Sequence, residues 1–204
     1  MKRGIILLAT MFLLVGCASG AKQEEQPKPI EQTNESKVEK TTIEDTEYYS
    51  IVDNGDYTYS YCIKDEEGKV LLQDKNCMKA PQIEQINDII VGVTIQGGTG
   101  QSTNVATFCN VQDGTVSETF PYVLGAKEEY VIYAEADWDK GEYCVTIQNM
   151  FDKATYFKQY ELEEVSPVAT DFITGFEINE EGDIIIVYPS GDDFDEKELI
   201  LQIQ

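Results

Sequence analysis

Residues 89–95, with the sequence Ile-Ile-Val-Gly-Val-Thr-Ile, decide the fold class of this chain. The run is mostly β-branched, and side chains of this shape favour strands. It is also apolar without alternation, which is typical of a strand that is buried on both faces. We therefore expect residues 89–95 to form a central strand with neighbours on both sides.

Two hairpins are predicted next to this strand. Val105–Val111 and Val116–Phe120 are apolar runs joined by a short turn that contains Gly114. Glycine in so short a connection is a strong hairpin signal. Earlier in the chain, Tyr57–Ile63 alternates large with small or polar side chains, as a half-buried strand does. An acidic turn then leads into Lys69–Leu72, which completes the second hairpin.

Further strands are predicted up to the end of the chain, and no segment has sustained helical spacing of apolar residues. These strands are Tyr130–Ala134, Tyr143–Gln148, Tyr156–Leu162, Ile184–Tyr188 and Leu199–Ile203. The fold class predicted from the sequence is therefore all-β and antiparallel.

The strands recur in a weak internal rhythm. An apolar strand followed by a hairpin with an acidic or glycine turn starts near Asp53, Ile83, Glu129 and Phe172. Units of roughly 40 residues are typical of propeller blades, each of which needs neighbours to cover its faces. We therefore expect a propeller-like stack of about four small blades, although a GH…WD signature is absent from the sequence. The alternative is a β-sandwich of about eight to ten strands.

The N-terminal segment predicts export and a lipid anchor. Lys2 and Arg3 precede an apolar run, Ile5–Val15, that is shorter than the roughly 20 residues needed to span a bilayer. This layout is that of a secretory signal. The run ends in Leu14–Cys17, Leu-Val-Gly-Cys, which resembles the lipobox of bacterial lipoproteins. The resemblance implies that Cys17 carries diacylglycerol and becomes the first residue of the mature protein.

The chain is accordingly divided into three parts. Residues 1–16 are expected to be the lipoprotein signal peptide, and residues 17–43 the lipidated cysteine with a disordered acidic tether. Almost nothing in the tether is apolar, so it cannot bury enough surface to offset its ordering entropy. Residues 44–204 form a single all-β domain. The predicted location is the extracytoplasmic face of the cell membrane.

The charge of the chain limits its partners. The 204 residues carry 38 Asp and Glu, 15 Lys and Arg, and no His. Two of the basic residues lie in the predicted signal peptide, so the mature chain has 13 lysines and 38 acidic residues, which gives a net charge of −25. Nucleic-acid binding is excluded because its affinity comes mostly from neutralising phosphates. The membrane is expected to be a partner only through the lipid on Cys17, and a cationic protein or glycan partner remains open.

Four cysteines follow Cys17, and their redox state is open. Cys62, Cys77, Cys109 and Cys144 include no pair with the spacing of a redox motif or a zinc ribbon. Outside the cytoplasm they could form two disulfides in any of three pairings. They could equally be small buried thiols in strands.

The residues available for catalysis argue against an enzyme. Without histidine, and without arginine after Arg3, imidazole-based nucleophile activation and guanidinium clamps on phosphate are unattainable. A hydrolase could still use two carboxylates, but 38 acids produce such pairs by chance. The loop Gly97–Thr103 has no lysine before its Ser or Thr, so it is read as a β–β connection and not as a phosphate loop. No cofactor is expected.

Two further candidate sites follow from single loops. Asp192, Asp193, Asp195 and Glu196 are weak calcium candidates, because calcium takes about six to eight oxygen ligands from such acidic loops. Trp138 lies between two aspartates, where its indole could stack on a sugar or a peptide or could instead cover the core. Aromatic residues of this kind are enriched among binding hot spots.

The pattern of the folded part also resembles a group of bacterial proteins. Asp56-Tyr57-Thr58-Tyr59, the turn Asp65–Gly68, the run Ile89–Ile95 and Asp113–Glu118 together resemble small acidic lipoproteins of clostridia and related bacteria. This resemblance supports the fold and implies no chemistry. We therefore predict a membrane-anchored, non-catalytic binding or accessory module. The alternatives are a solute-binding lipoprotein of a transporter and a carboxylate-dependent glycan hydrolase.

Overall fold

The computed structural model describes residues 39–97, 104–137, 139–166 and 171–203. These residues form fifteen strands and no helix, so within the described ranges no helix could span a membrane. The strands are β1 Thr41–Asp45, β2 Tyr49–Asp53, β3 Tyr59–Lys64, β4 Val70–Cys77, β5 Gln82–Gln85, β6 Ile90–Gln96, β7 Asn104–Asn110, β8 Val116–Pro121, β9 Val123–Lys127, β10 Tyr130–Asp137, β11 Glu142–Asn149, β12 Phe157–Glu161, β13 Gly175–Ile178, β14 Ile184–Ser190 and β15 Asp195–Leu201.

The strands form four antiparallel sheets in chain order. Sheet A contains β1 to β4, sheet B β5 to β8, sheet C β9 to β12 and sheet D β13 to β15. Strands that are neighbours in the chain are also neighbours in the sheet, so each sheet is a simple up-and-down meander. The all-β, antiparallel prediction is confirmed.

The predicted central strand lies where the sequence placed it. β6 pairs with β5 on one side and with β7 on the other. Val91 is fully buried and Val93 nearly so on one face, while Ile90 is buried on the other. Both predicted hairpins, β3–β4 and β7–β8, are also confirmed.

The first strand of each sheet was missed or only partly recognised from the sequence. β1 begins at Thr41, so the folded part starts three residues before the expected boundary at residue 44. β5 and β13 have only four residues each. The predicted repeat starts at Ile83 and Phe172 lie within three residues of the starts of β5 and β13. Those at Asp53 and Glu129 fall after β1 and β9, which were missed as edge strands that are paired on one side only.

The core consists of three apolar layers, one between each pair of consecutive sheets. Tyr61 and Ile63 of sheet A pack with Val91 and Cys109 of sheet B. The next layer joins sheets B and C and contains Ala106, Phe108, Phe120, Val131 and Tyr133. The third layer joins sheets C and D and contains Ile132, Val145, Ile147, Ile184 and Ile186. The sheets therefore stack face to face in chain order.

The links between the first three sheets lie at one end of the stack, which we call the link rim. Sheets A, B and C contain four strands each, so the chain leaves each of them at the end where it entered. Only residues 78–81 join sheet A to sheet B, and only Tyr122 joins sheet B to sheet C. Because an extended chain spans at most about 3.6 Å per residue, these short links keep the strand ends that they join close together. Because neighbouring strands are antiparallel, the β2–β3 and β10–β11 turns lie at the same rim.

Buried tyrosines predict a loss of stability at alkaline pH. Burial raises the pKa of Tyr61 to about 12 and that of Tyr133 to about 12. Because unfolded tyrosine has a pKa of about 10, the unfolded chain loses these protons first. The stabilisation is therefore complete below pH ~10 and is lost between pH ~10 and ~12.

Urea unfolding from pH 8 to 12, with tyrosinate absorbance recorded in parallel, measures this effect. The free energy of unfolding should be level up to pH ~9 and then fall. Tyr61→Phe should flatten part of the decline. Unchanged stability of the wild-type protein across the whole range would contradict the prediction.

Candidate functional site

A cavity with a mostly polar lining opens on sheet C at the link rim. Its volume is about 560 Å³. The end of β10, the start of β11 and the end of β12 form its walls. Its lining residues are Glu135, Ala136, Asp137, Glu142, Tyr143, Cys144, Gln159 and Glu161. We call this cavity the acidic pocket.

Strand register brings the carboxylates of the acidic pocket together. Cys144 is directly opposite Glu135 on one neighbouring strand and Glu161 on the other. Asp137 is opposite Glu142. Residues two apart on a strand share a face, so Glu135 and Asp137 lie on the same side of sheet C. Four acidic side chains therefore converge although their positions in the chain differ by up to 26 residues.

Hydrogen bonds hold the floor of the acidic pocket. The Thr146 hydroxyl donates to Glu135 Oε2 at 3.0 Å, and Gln159 Nε2 donates to the same oxygen at 3.2 Å. Gln159 Nε2 also lies 3.0 Å from Cys144 Sγ. Glu135 is exposed, as are Glu142 and Glu161, but its carboxylate is fixed by these two donors.

A single lysine interacts with the mouth of the pocket. Lys140 Nζ lies 2.7 Å from Asp137 Oδ2 and 3.9 Å from Glu142 Oε2. The hydrogen bond from Lys140 lowers the pKa of Asp137 below its ordinary value. A general acid needs the opposite shift, so Asp137 is unsuited to that role. One lysine among four carboxylates leaves the acidic pocket negatively charged.

The four cysteines of the folded part are all free thiols. Cys77 and Cys109 are buried, and Cys62 and Cys144 are partly exposed. Of the two possibilities left open by the sequence, the structure has the thiols and not the disulfides. Burial, followed by the charge of Glu135, raises the pKa of Cys144. Its thiol stays protonated at neutral pH and is a poor nucleophile.

Two of the residues singled out from the sequence lie outside the described part of the chain. Cys17 precedes residue 39, and Trp138 falls in the gap between residues 137 and 139. The lipidation of Cys17 and the ligand contact of Trp138 therefore stay predictions. Most of the loop Gly97–Thr103 is outside the described ranges as well. Trp138 directly follows Asp137, which is a residue of the acidic pocket.

The weak calcium candidates form no cluster. Asp192, Asp193, Asp195 and Glu196 are exposed in the β14–β15 turn and at the start of β15. Because Asp195 and Glu196 are consecutive on a strand, their side chains point to opposite faces. Within the described ranges, no group of three or more His, Cys, Asp or Glu side chains could hold a metal ion.

Other acidic loops have a structural role. The Asp53 carboxylate accepts a hydrogen bond from the Gly55 amide at 2.7 Å, and Asp56 accepts one from the Thr58 hydroxyl at 2.6 Å. Asn179 Oδ1 accepts the amide of Asp183 at 2.8 Å. These are the local bonds by which Asp and Asn stabilise turns. These turns could be identified from the sequence. The acidic pocket could not, because it depends on the register of strands that are distant in the chain.

Comparisons with known proteins define no family. No family model matches the chain, and no curated protein matches it. A solved structure described as the computationally designed Ika4 protein is similar at a TM-score of 0.37 and 12% identity, over 78% of this chain and 88% of that one. A likeness at this level carries no argument about function.

Proposed function

We propose that this protein is an extracytoplasmic lipoprotein, anchored through diacylated Cys17, whose folded part is a non-catalytic binding module. The sequence Leu-Val-Gly-Cys at residues 14–17 supports the anchor. The polar segment between Cys17 and β1 supports a tether that lets the domain reach partners near the membrane surface. The acidic pocket is the candidate binding site.

We further propose that the four sheets are arranged like the blades of a small propeller. Each of sheets A, B and C is a four-stranded meander, and apolar layers separate consecutive sheets. Four sheets in chain order favour this arrangement over a sandwich, which has two.

The main support for a binding function is the excess of negative charge in the acidic pocket. Glu135, Asp137, Glu142 and Glu161 line one cavity of about 560 Å³, and Lys140 is the one lysine that forms ion pairs there, with Asp137 and Glu142. A cavity of this size accommodates a side chain or a small ligand. The pocket therefore fits a cationic group, such as the lysine side chain of a partner protein.

Three features favour binding over catalysis. The mature chain has neither histidine nor arginine. Cys144 is held as a protonated thiol, and the pKa of Asp137 is lowered. A glycan hydrolase would need one carboxylic acid whose pKa is raised. The transporter alternative is less well supported, because a solute-binding lipoprotein usually has two α/β lobes and the described residues contain no helix.

Binding of a tetralysine peptide to the mature chain, measured by calorimetry at an ionic strength of about 0.1 M, tests the proposal. Glu142→Gln combined with Glu161→Gln should weaken binding by about twofold to thirtyfold, because exposed ion pairs contribute about 0.2–1 kcal/mol each. Trp138→Ala should weaken it further, by about thirtyfold if the indole is an anchor worth about 2 kcal/mol.

The matched control is Glu196→Gln combined with Glu198→Gln, which removes the same charge from sheet D. It should change the affinity little, because charges beyond a Debye length of about 10 Å are screened. Equal losses in both double variants would show general attraction to an acidic protein and would contradict a specific pocket.

A further inference from the structure

Strand β9 differs from the other edge strands of the described chain. β1, β4, β5, β8, β12, β13 and β15 each include at least one Asp or Glu, a charge that discourages pairing with another chain. β9 reads Val-Leu-Gly-Ala-Lys, with no acidic residue and no proline, and its one charged side chain, Lys127, donates from Nζ to the Gly182 carbonyl at 3.1 Å. Proteins usually protect such an edge because its free N–H and C=O groups are a template for a further strand.

The free edge of β9 forms one wall of a groove between sheets B and C. The groove has a volume of about 240 Å³. Its wall consists of Val123, Leu124, Gly125 and Ala126. Since β9 contacts β7 and β10 contacts β8, sheet C covers the β7–β8 half of sheet B. The β5–β6 half of the same face extends past β9 and forms the floor.

The backbone of β9 points into this groove. Side chains of a strand alternate between faces, so four consecutive lining residues mean that the strand edge itself lines the cavity. Lys127 and Tyr130 lie opposite each other in the register of β9 and β10 and flank a two-residue turn. Residues in this position bond to each other through their backbone N–H and C=O groups. The next pair, Ala126 with Val131, is then of the non-hydrogen-bonded type. The N–H and C=O of Ala126 therefore point away from β10.

The floor of the groove offers acceptors to a ligand. Gln82 and Glu84 are exposed on β5, and Thr94 is partly buried on β6. Asn104 Oδ1 is buried without a hydrogen-bond partner, and Asn104 also lines the groove. A buried acceptor that lacks a donor is destabilising until one is supplied. The polar floor therefore favours a ligand that is rich in N–H donors.

The end of the groove away from the link rim is closed by a contact between the sheets. Asn87 Nδ2, in the β5–β6 turn, donates to the carbonyl of Glu128 in the β9–β10 turn at 3.2 Å. Gly92 lies on the floor, and a Cβ there would come 2.9 Å from the Phe108 ring. The ring thus covers the backbone of β6 at this point and adds an apolar surface to the groove.

We propose that the groove along β9 binds an extended peptide of a partner protein, which adds to sheet C as a fifth strand. Basic residues of the peptide would face Glu84, in keeping with the net charge of the mature chain. Strand addition of this kind takes its affinity from backbone hydrogen bonds and its specificity from alternate side chains. The inference depends neither on lipidation of Cys17 nor on the acidic pocket.

The test uses the mature chain, residues 17–204, with Cys17→Ser so that no acyl chain contributes. The probe is acetyl-Lys-Val-Lys-Thr-Lys-Val-amide, an alternating basic strand. Amide hydrogen exchange measured by NMR should slow at Ala126 and its β9 neighbours when the peptide is added. The same peptide with every backbone amide N-methylated should neither bind nor protect, because it cannot donate to β9.

Two variants assign the binding to the groove. Ala126→Pro removes one outward N–H, and Gln82→Trp fills the groove without changing the backbone of β9. Each should raise the dissociation constant of the probe by about tenfold or more, while Gln73→Trp, on exposed edge strand β4, should not. If Ala126→Pro fails to fold, Gln82→Trp still decides the matter.

Four results would overturn the proposal. One is equal binding by Gln82→Trp and Gln73→Trp, and another is binding of the N-methylated peptide. The third is protection of β9 that depends on protein concentration and not on the peptide, since the occupant would then be a second copy of this chain. Absence of any protection of β9 by millimolar probe would also refute it.

Discussion

Cys17→Ala is expected to abolish stable attachment of the protein to the membrane. Burial of acyl chains contributes about 0.8 kcal/mol per CH2, and one chain binds only marginally while two give lasting anchorage. The substitution removes the sulfur that would carry both chains of the diacylglycerol. The variant should lack lipid-specific cleavage, and wild-type mature protein should show a diacylated Cys17 by mass spectrometry.

Cys62→Ala is the matched control for this experiment. Cys62 is a free, partly exposed thiol in β3, so its loss should leave membrane attachment unchanged. Wild-type protein whose mature N-terminus carries no lipid would disprove the anchor. The tetralysine experiment would remain informative in that case, because the acidic pocket does not depend on the anchor.

Phe172→Ala is expected to lower the free energy of unfolding by about 3–5 kcal/mol, the usual range for a large aromatic side chain lost from a core. Phe172 is 2% exposed in the layer between sheets C and D. Its ring centroid lies 5.2 Å from that of Tyr122 and 5.1 Å from that of Tyr143. The alanine variant would leave a cavity at the point where the chain enters sheet D.

Phe157→Ala is the control for this substitution. Phe157 is on edge strand β12 and is 40% exposed, with Lys153 Nζ 3.9 Å from its ring centroid. Its loss should lower the stability by about 1 kcal/mol or less. Urea unfolding monitored by circular dichroism compares the two variants. Similar effects of both substitutions would show that the layer between sheets C and D is not a tightly packed core.

The sequence alone was sufficient for features that depend on neighbours in the chain. The β-branched run at residues 89–95 predicted β6 because side-chain shape and continuous apolarity act locally. Asp65 and Asn179 marked turns because their side chains bond to backbone amides only a few residues away. The prediction of export and lipidation from Leu14–Cys17 is likewise made from consecutive residues.

Tertiary structure alone decided which residues form the acidic pocket and the groove. Glu135, Cys144 and Glu161 become neighbours through strand register, and a shift of one residue would move each side chain to the other face of its strand. Among 38 acidic residues the sequence contains no mark that separates these from the rest. The open edge of β9 likewise depends on how sheet C lies across sheet B, which is determined by the packing of Phe108 and Phe120 against Val131 and Tyr133. Local propensity acts within a strand, whereas register and stacking are chosen by the apolar surface that whole sheets bury together.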